Sequence, residues 1–256
     1  MRALSYLYLA VLYGFIFLPV GVLVLFSFQE GRLPVPPFNG PSLKWYAQVL
    51  GDRDLMAALL NSLVLALVSS AIALVLGFLA AHALARHRLP GSVLMRGLLI
   101  APMTVSYLII ALGLLTLFNR IGLGPSLWAT GIGHVVINLP LCFAIAYAAM
   151  GDHHISAERA ARDLGASEAR VLWLISVPML APPLLAAYFL SVTFSWDEFI
   201  IAFLLTRFEV TLPVEIWSML RSGLSPATNA IGSLVFLVSV VGVVAMELFV
   251  LRKAKA

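Results

Sequence analysis

The stretch from Ile155 to Leu172 reads ISAERAARDLGASEARVL. Polar and small residues recur in it at helical spacing on both sides of Gly165, which predicts two short amphipathic helices joined at a glycine. Ser156 and Ser167 are the candidate N-caps of these helices. Glycine adopts the left-handed conformation readily, so Gly165 is expected to end the first helix and let the chain reverse.

The first of these helices has two different faces. Arg159, Arg162 and Asp163 are assigned to its solvent face, and its packing face is predicted to consist of Ala157, Ala160, Ala161 and Leu164. The second helix is expected to present an apolar face of Val171, Leu172 and Ile175 and to end at Val177 and Pro178. A short amphipathic helix lying along a membrane surface can seat in a groove of another protein.

The composition outside this stretch is that of a membrane protein. The 256 residues are 62% hydrophobic and 11% charged, whereas soluble domains are about 45–50% apolar and about 25% charged. This excludes an ordinary soluble enzyme. The net charge of +4 is not gathered into a basic cluster larger than residues 252–255, so nucleic acid is not an expected partner. The lone Cys142 lies in an apolar run and is interpreted as a packing residue.

Six apolar runs are long enough to cross the hydrocarbon core of a bilayer, which takes about 20 residues of helix. The predicted fold class is therefore an all-α membrane protein, a single transmembrane domain over residues 1–256. The expected spans are residues 5–28, 59–83, 93–118, 126–150, 180–206 and 229–251, with residues 151–178 between the fourth and fifth spans.

The basic residues predict the orientation, because cytoplasmic loops are enriched in lysine and arginine. One side of the membrane would receive ten of them, Arg2, Arg86, Arg88, Arg96, Arg159, Arg162, Arg170, Arg252, Lys253 and Lys255. The other would receive six, Arg32, Lys44, Arg53, Arg120, Arg207 and Arg221. Both termini, and residues 151–178, are therefore predicted to be cytoplasmic.

The second run carries small residues at every fourth position. They are Ser69, Ala73, Gly77, Ala81 and Ala85. Positions four apart share a helix face, and small side chains let a second helix approach closely in a membrane. This face is predicted to be a packing seam.

The spacing in residues 159–178 resembles the permease signature of ATP-binding-cassette importers. That signature is Glu-Ala-Ala, three residues, glycine, nine residues, isoleucine, one residue and Leu-Pro. Its matches here are Ala160, Ala161, Gly165, Ile175 and Pro178, while Arg159 replaces the usual glutamate and Val177 the leucine. Further motifs resemble the second permease of spermidine/putrescine-type importers: KWY at 44–46, NSL at 61–63, DLGAS at 163–167, SWDE at 195–198, TLP at 211–213 and SPATNA at 225–230.

This resemblance implies a type I importer of the inner membrane that works by alternating access. Its partners would be a homologous permease, two ATPase subunits that bind ATP and magnesium, and a periplasmic solute-binding protein. The chain has no Gly-x-x-x-x-Gly-Lys-Ser/Thr phosphate loop, so no ATP site or other cofactor is expected in it. The candidate ATPase-coupling residues are Glu158, Arg159, Ala160, Ala161, Asp163, Gly165 and Ala166.

The carboxylates of Asp197 and Glu198 are the candidate substrate contacts. A charge at the bilayer centre costs about 2.5–3.5 kcal/mol on insertion scales, so both residues require partners or water. Both residues are expected in the fifth helix, where adjacent positions point about 100° apart. One is predicted to face the pathway and attract a cationic amine, the other to pair with a basic or polar group. A structural ion pair, or a contact with the binding protein, explains them equally well.

Trp196, Ser195 and Tyr107 are the other residues predicted to line the substrate pathway. Trp196 can stack on a cation, although a tryptophan at the membrane interface is an equal alternative. Ser195 and Tyr107 offer polar contacts. His134 and Asn138 share a face of the fourth run, where a hydrogen bond between helices is favoured over a place in the lumen. No metal site is expected.

Two other classes of function remain open at this point. A stand-alone secondary carrier could use Asp197 or Glu198 as a proton or cation site without any ATPase. A membrane-embedded enzyme is disfavoured, because no nucleophile and base recur at a suitable spacing. Polyamines are the favoured substrates, and this preference rests only on the resemblance to spermidine/putrescine-type permeases. Opines, amino-acid derivatives, aminophosphonates, thiamine and ferric complexes are the alternative substrates.

Overall fold

The computed structural model describes the backbone of residues 2–87 and 89–255 and the side chains of residues 4–87, 89–151 and 154–245. Arg2, Arg88, Arg252, Lys253 and Lys255 of the charge count thus lie outside the described side chains. The helices of the described chain are α1 (Arg2–Ser27), α2 (Lys44–Gly51), α3 (Arg53–Arg86), α4 (Ser92–Ile100), α5 (Tyr107–Arg120), α6 (Leu127–Ala149), α7 (Asp152–Asp163), α8 (Glu168–Val171), α9 (Val177–Met179), α10 (Ala181–Trp196), α11 (Ile200–Leu205), α12 (Leu212–Ser222) and α13 (Pro226–Lys255).

The all-α class is confirmed, and the spans are of two kinds. Among the described residues, four helices are long and apolar enough to cross a membrane, at Leu4–Ser27, Arg53–Arg86, Leu127–Ala149 and Pro226–Ala245. Two bent pairs, Ser92–Thr104 with Tyr107–Arg120 and Glu168–Met179 with Ala181–Trp196, bring the number to six if each is one span.

The expectation of a continuous third helix over 93–118 is wrong. A 3₁₀ turn at Ala101–Thr104 follows α4, and the two parts of the span meet at 106°. Val105 and Ser106 are extended at the break, and α5 starts afresh at Tyr107. Pro102 lies within the 3₁₀ turn, and because proline has no backbone N–H to donate, it cannot continue the α-helical hydrogen bonds of α4.

The fifth span over 180–206 is also broken. The helix α10 ends at Trp196, residues 197–199 are non-helical, and α11 begins at Ile200. Asp197 and Glu198 therefore lie in a break between two helices, and the expectation that they sit within a helix is wrong.

The chain divides into two compact units, residues 1–58 with 212–244 and residues 59–211 with 245–256. In the first unit, a buried Gln29 organises the proline-rich loop after α1. Its side-chain oxygen accepts a hydrogen bond from the backbone N–H of Asn39 at 3.0 Å, and its side-chain NH₂ group donates to the Pro37 carbonyl at 3.2 Å. Trp45 of α2 donates its indole N–H to the Gln29 carbonyl at 2.7 Å, which holds the loop against α2.

The core of the second unit is built around α6. The helix α10 packs along α6, and α11 packs against both α5 and α6. One apolar cluster joins α3, α6 and α10 through Phe78, Phe143 and Leu184, and a second joins α5, α6 and α11 through Phe118, Ile137 and Ile201.

The small-residue face of α3 is the packing seam that its spacing predicts. Ser69, Ala73 and Ala81 are at most 2% exposed. Hydrogen bonds between serines add to the contact, because Ser69 lies 3.2 Å from Ser195 and Ser191 donates to Ser70 at 3.0 Å. Small residues let the backbones approach, and the hydroxyls then bond directly between helices.

Gly77 marks the closest approach along this seam. A Cβ atom at this position would lie 2.7 Å from the Phe143 backbone nitrogen and 2.9 Å from the Cys142 Cβ. Because backbone cannot yield as a flexible side chain does, Gly77→Ala is expected to lower the stability of the second unit by about 1–3 kcal/mol. Thermal unfolding in detergent measures this loss.

The matched control is Gly113→Ala on α5, where an added Cβ would meet nothing within 4 Å. There the substitution is expected to be neutral or stabilising by up to about 1 kcal/mol, since alanine is the better helix former. Equal unfolding temperatures for the two variants would contradict the close approach at Gly77.

Candidate functional site

The polar segment forms a helix, a reversal and a second helical stretch, in the predicted order. The helix α7 begins at Asp152, after an extended Gly151, so Ser156 lies within the helix and its predicted role as N-cap is wrong. The second stretch starts at Glu168 after an extended Ser167, although the Ser167 side chain makes no cap hydrogen bond. It continues through a π-helical turn at Leu172–Ser176 into α9.

The orientation of α7 differs from the predicted one. Glu158 is fully buried, whereas Ala160 is exposed and Leu164 is 89% exposed. The assignment of Ala160 and Leu164 to the packing face is therefore wrong, while Arg159 and Asp163 are exposed as expected. The outer face of α7, defined here as Arg159, Ala160, Asp163 and Leu164, combines one charge of each sign with a projecting leucine.

A buried ion pair explains this orientation. The Arg86 Nε donates to Glu158 Oε2 at 2.7 Å and its Nη2 to Oε1 at 3.1 Å, with side chains only 6% and 1% exposed. Ser176 donates its hydroxyl to Oε1 at 2.9 Å. Leaving one buried charge without its partner costs about 3–5 kcal/mol, more than the burial of one alanine contributes, so the pair sets which side of α7 turns inward.

The environment keeps Glu158 ionised. Burial alone would raise the pKa of this carboxyl group, but the hydrogen bonds from Arg86 and Ser176 outweigh burial, and its pKa lies below the ordinary value. The negative charge that holds Arg86 is thus present at neutral pH.

Gly165 ends α7 in the left-handed conformation, as predicted, with φ of +85°. Its N–H donates to the Arg162 carbonyl at 2.8 Å, and the N–H of Ala166 donates to the Ala161 carbonyl at 3.0 Å. These two bonds form a Schellman C-cap, which satisfies carbonyls that the helix end would otherwise leave unpaired. An exposed ion pair from Arg162 Nε to Glu168 Oε1 at 2.7 Å spans the reversal.

The structure separates the two adjacent carboxylates. Asp197 is exposed at the break, whereas Glu198 is 6% exposed and accepts the backbone N–H groups of Ile200, Ile201 and Ala202 at 2.8–3.3 Å. Glu198 therefore caps α11, because the first N–H groups of a helix have no partner within it. Its carboxylate is used inside the fold, and the Asp197 carboxylate is accessible.

The other predicted pathway residues divide in the same way. Ser195 is 3% exposed, and its hydroxyl lies 2.6 Å from the His134 Nδ1. Ser195 thus belongs to the helix contacts, and His134 bonds between α6 and α10 instead of lining a lumen. Trp196 is half-buried beside Asp197, and Tyr107 is 37% exposed at the start of α5.

Sequence reasoning missed two functions of polar groups. The sequence indicates only a loop charge at Arg86, whereas in the structure Arg86 binds Glu158, 72 positions along the chain. Glu198 lies one residue before Phe199, the N-cap position of α11, and an acidic residue just before an apolar run is a signal for a helix start. Nothing else in the sequence indicates that a helix starts within this apolar span.

Comparisons with known proteins agree with this architecture. Residues 73–255 match the family described as binding-protein-dependent transport system inner membrane component. The chain is 30% identical over 250 residues to the spermidine/putrescine transport system permease protein PotC of Escherichia coli K12, covering 97% of this chain and 94% of that one. It is 34% identical over 246 residues to the putrescine transport system permease protein PotI of the same strain, covering 92% and 87%.

A solved structure shows the same fold. A bacterial ABC transporter involved in the import of the acidic polysaccharide alginate superposes with a TM-score of 0.69 at 19% identity, covering 98% of this chain and 95% of that chain. The arrangement of the described helices, with α7 between the span at Leu127–Ala149 and the helix α10, is thus shared with that transporter. These matches favour the importer over the stand-alone carrier, and the chain belongs to the family of inner membrane components of binding-protein-dependent transport systems.

Proposed function

We propose that this chain is a permease subunit of an ATP-driven importer of polyamines, or of a related small solute bearing an amine. The observation that carries this proposal is the similarity over nearly the whole chain to two permeases named for spermidine and putrescine transport. It covers both the cytoplasmic segment and the break at Asp197, so both candidate sites lie in the matched region.

Asp197 is the residue of this chain that meets the cationic substrate. Its carboxylate is exposed at a helix break, and the neighbouring Glu198 is already bonded to three backbone N–H groups. An ammonium group is attracted to a carboxylate and to an aromatic face, so Trp196 beside Asp197 adds a second contact. Tyr107 contributes a hydroxyl to the same pathway.

The outer face of α7 contacts the ATPase. Leu164 projects from this face with 89% exposure and suits an apolar groove, while Arg159 and Asp163 supply charge at its rim. The assembly contains a homologous permease, two ATPase subunits that hold ATP and magnesium, and a periplasmic solute-binding protein. Both termini and α7 lie on the cytoplasmic side, in agreement with the bias of ten basic residues against six.

Transport proceeds by alternating access. ATP bound to the ATPase subunits and the loaded binding protein each favour the outward-open state, and hydrolysis returns the permease to the inward-open state. Each ligand shifts this equilibrium only by the difference between its affinities for the two states. The permease itself carries out no chemical step.

Coexpression with the partner permease, ATPase and binding protein tests the proposal. The ATPase and the second permease are expected to co-purify with this chain, and proteoliposomes of the complex are expected to take up labelled putrescine only with ATP inside and the binding protein outside. Putrescine uptake by the chain alone, driven by an ion gradient, would instead show the secondary carrier. Uptake of another solute in the complete complex would correct the substrate and retain the importer.

A further inference from the structure

The buried cluster of Arg86, Glu158 and Ser176 joins three parts of the second unit. Arg86 is the last residue of α3, Glu158 lies in the middle of α7, and Ser176 ends the π-helical turn that precedes α9. One carboxylate accepts hydrogen bonds from both of the others, at 2.7 and 3.1 Å from Arg86 and 2.9 Å from Ser176. The cytoplasmic helix is thereby bonded to two elements that continue into spans.

The two spanning helices that this cluster connects to α7 also pack against each other. Phe78 and Ala81 of α3 belong to the same buried cluster as Leu180 and Leu184, which follow Ser176 into α10. Close-packed interiors transmit displacement because they have little free volume. The bonds of Glu158 to Arg86 and Ser176 therefore link α7 to two helices that meet in one packed cluster.

The exposed ion pair between Arg162 and Glu168 connects different elements from the buried pair between Arg86 and Glu158. Arg162 and Glu168 approach equally closely, at 2.7 Å, but their side chains are 31% and 69% exposed and they join α7 only to α8. Solvent screens such a pair, and it remains inside the cytoplasmic segment. The Arg86 and Glu158 side chains are 6% and 1% exposed, so their bond is shielded from water and reaches a spanning helix.

We propose that Glu158 is the positioning residue that transmits movement of α7 to α3 and α10 through Arg86 and Ser176. The inference rests on the proposed function, since it takes α7 to be the helix that the ATPase moves. Under this proposal, two adjacent residues of α7 have different roles. Arg159 faces outward to the partner, and Glu158 faces inward to the spans.

The test uses the complete transporter in proteoliposomes, with putrescine taken up per ATP hydrolysed as the readout. Glu158→Gln keeps the size of the side chain and removes the charge that holds Arg86. We expect the ATPase to co-purify as with the unaltered chain, and the uptake per ATP to fall about fivefold or more, within the range of typical coupling energies. Ser176→Ala, which removes one of the hydrogen bonds and leaves the ion pair, is expected to give a smaller fall.

Tyr147→Phe is the matched control. It removes the hydrogen bond that Arg96 donates to the Tyr147 hydroxyl at 3.0 Å, an arginine contact that joins α4 to α6 and does not involve α7. Uptake per ATP is expected to be unchanged in this variant. The control shows whether losing any arginine bond near the helix ends reduces coupling.

The outcomes separate the two proposals. Failure of the unaltered chain to capture an ATPase removes the proposed function. Capture of the ATPase together with unchanged uptake per ATP in Glu158→Gln and Ser176→Ala overturns the transmission role alone, and so does a lower unfolding temperature with unchanged uptake per ATP. If Glu158→Gln does not assemble with the ATPase, the uptake per ATP of Ser176→Ala tests the transmission role in its place. A fall supports the role, and an unchanged value overturns it.

Discussion

Replacing Gly165 with valine is expected to stop solute uptake while the ATPase subunits continue to hydrolyse ATP. Gly165 has a φ of +85°, a conformation that a β-branched residue adopts only under strain. Strain of about 1–3 kcal/mol shifts the population of the correct reversal by roughly 5- to 150-fold. The two hydrogen bonds of the Schellman cap would be lost with it, and α8 would leave α7 in a different direction.

Asparagine at the same position is the matched control. A Cβ added at Gly165 would meet nothing within 4 Å, so neither substitution is excluded by space. Asparagine tolerates the left-handed conformation far better than valine, and Gly165→Asn is expected to keep most of the uptake. Uptake and ATP hydrolysis are measured together in proteoliposomes. Full coupling in Gly165→Val, or an equal loss in both variants, would contradict the conformational role.

Replacing Asp197 is expected to weaken substrate uptake, whereas replacing Glu198, the adjacent carboxylate at the break of the fifth span, is expected to lower stability. Asp197→Asn preserves shape and removes the accessible charge. A hydrogen bond to a charged group contributes about 1.5–3 kcal/mol, so the half-saturating concentration for putrescine uptake should rise by roughly ten- to a hundredfold. Assembly with the ATPase, its basal ATP hydrolysis and the unfolding temperature should remain as before.

Glu198→Leu should instead damage the fold. It removes the acceptor of the Ile200, Ile201 and Ala202 N–H groups, and the last two are buried donors, each of which costs about 1–3 kcal/mol when it is left unsatisfied. The yield of folded protein and its unfolding temperature are expected to fall. Glu198→Gln retains a carbonyl oxygen and should lose less. A stable Glu198→Leu protein with impaired uptake would reverse the two assignments and place Glu198 in the pathway.

These expectations bear on how polar groups are tolerated within a span. Glu198 and His134 are almost completely buried, and each is held by an acceptor or donor within the fold. Asp197 is exposed, at a place where the backbone is already non-helical. Irregular backbone at membrane depth is tolerated where protein or a water-filled cavity surrounds it. A break of this kind suits a pathway that carries a charged solute.

The sequence was informative wherever a property belongs to a short piece of chain. Hydrophobic runs predict the four long helices that can span a membrane, since about 20 apolar residues match the thickness of a bilayer whatever their neighbours are. Gly165 predicted the end of α7, because freedom at positive φ belongs to glycine itself. The small residues of α3 predicted the seam, since side-chain volume sets how closely two helices can approach.

Local sequence patterns did not predict which side of a polar helix is buried or which polar groups pair with each other. The alanines of α7 predicted a packing side that includes Ala160, whereas the bond between Glu158 and Arg86, 72 positions apart, turned that residue outward. Which of Asp197 and Glu198 is bonded within the fold likewise depends on which carboxylate reaches the free N–H groups of α11. A buried charge costs several kcal/mol unless it is paired, so pairing overrides weak apolar patterning, and pairs form between groups that meet only when distant helices pack.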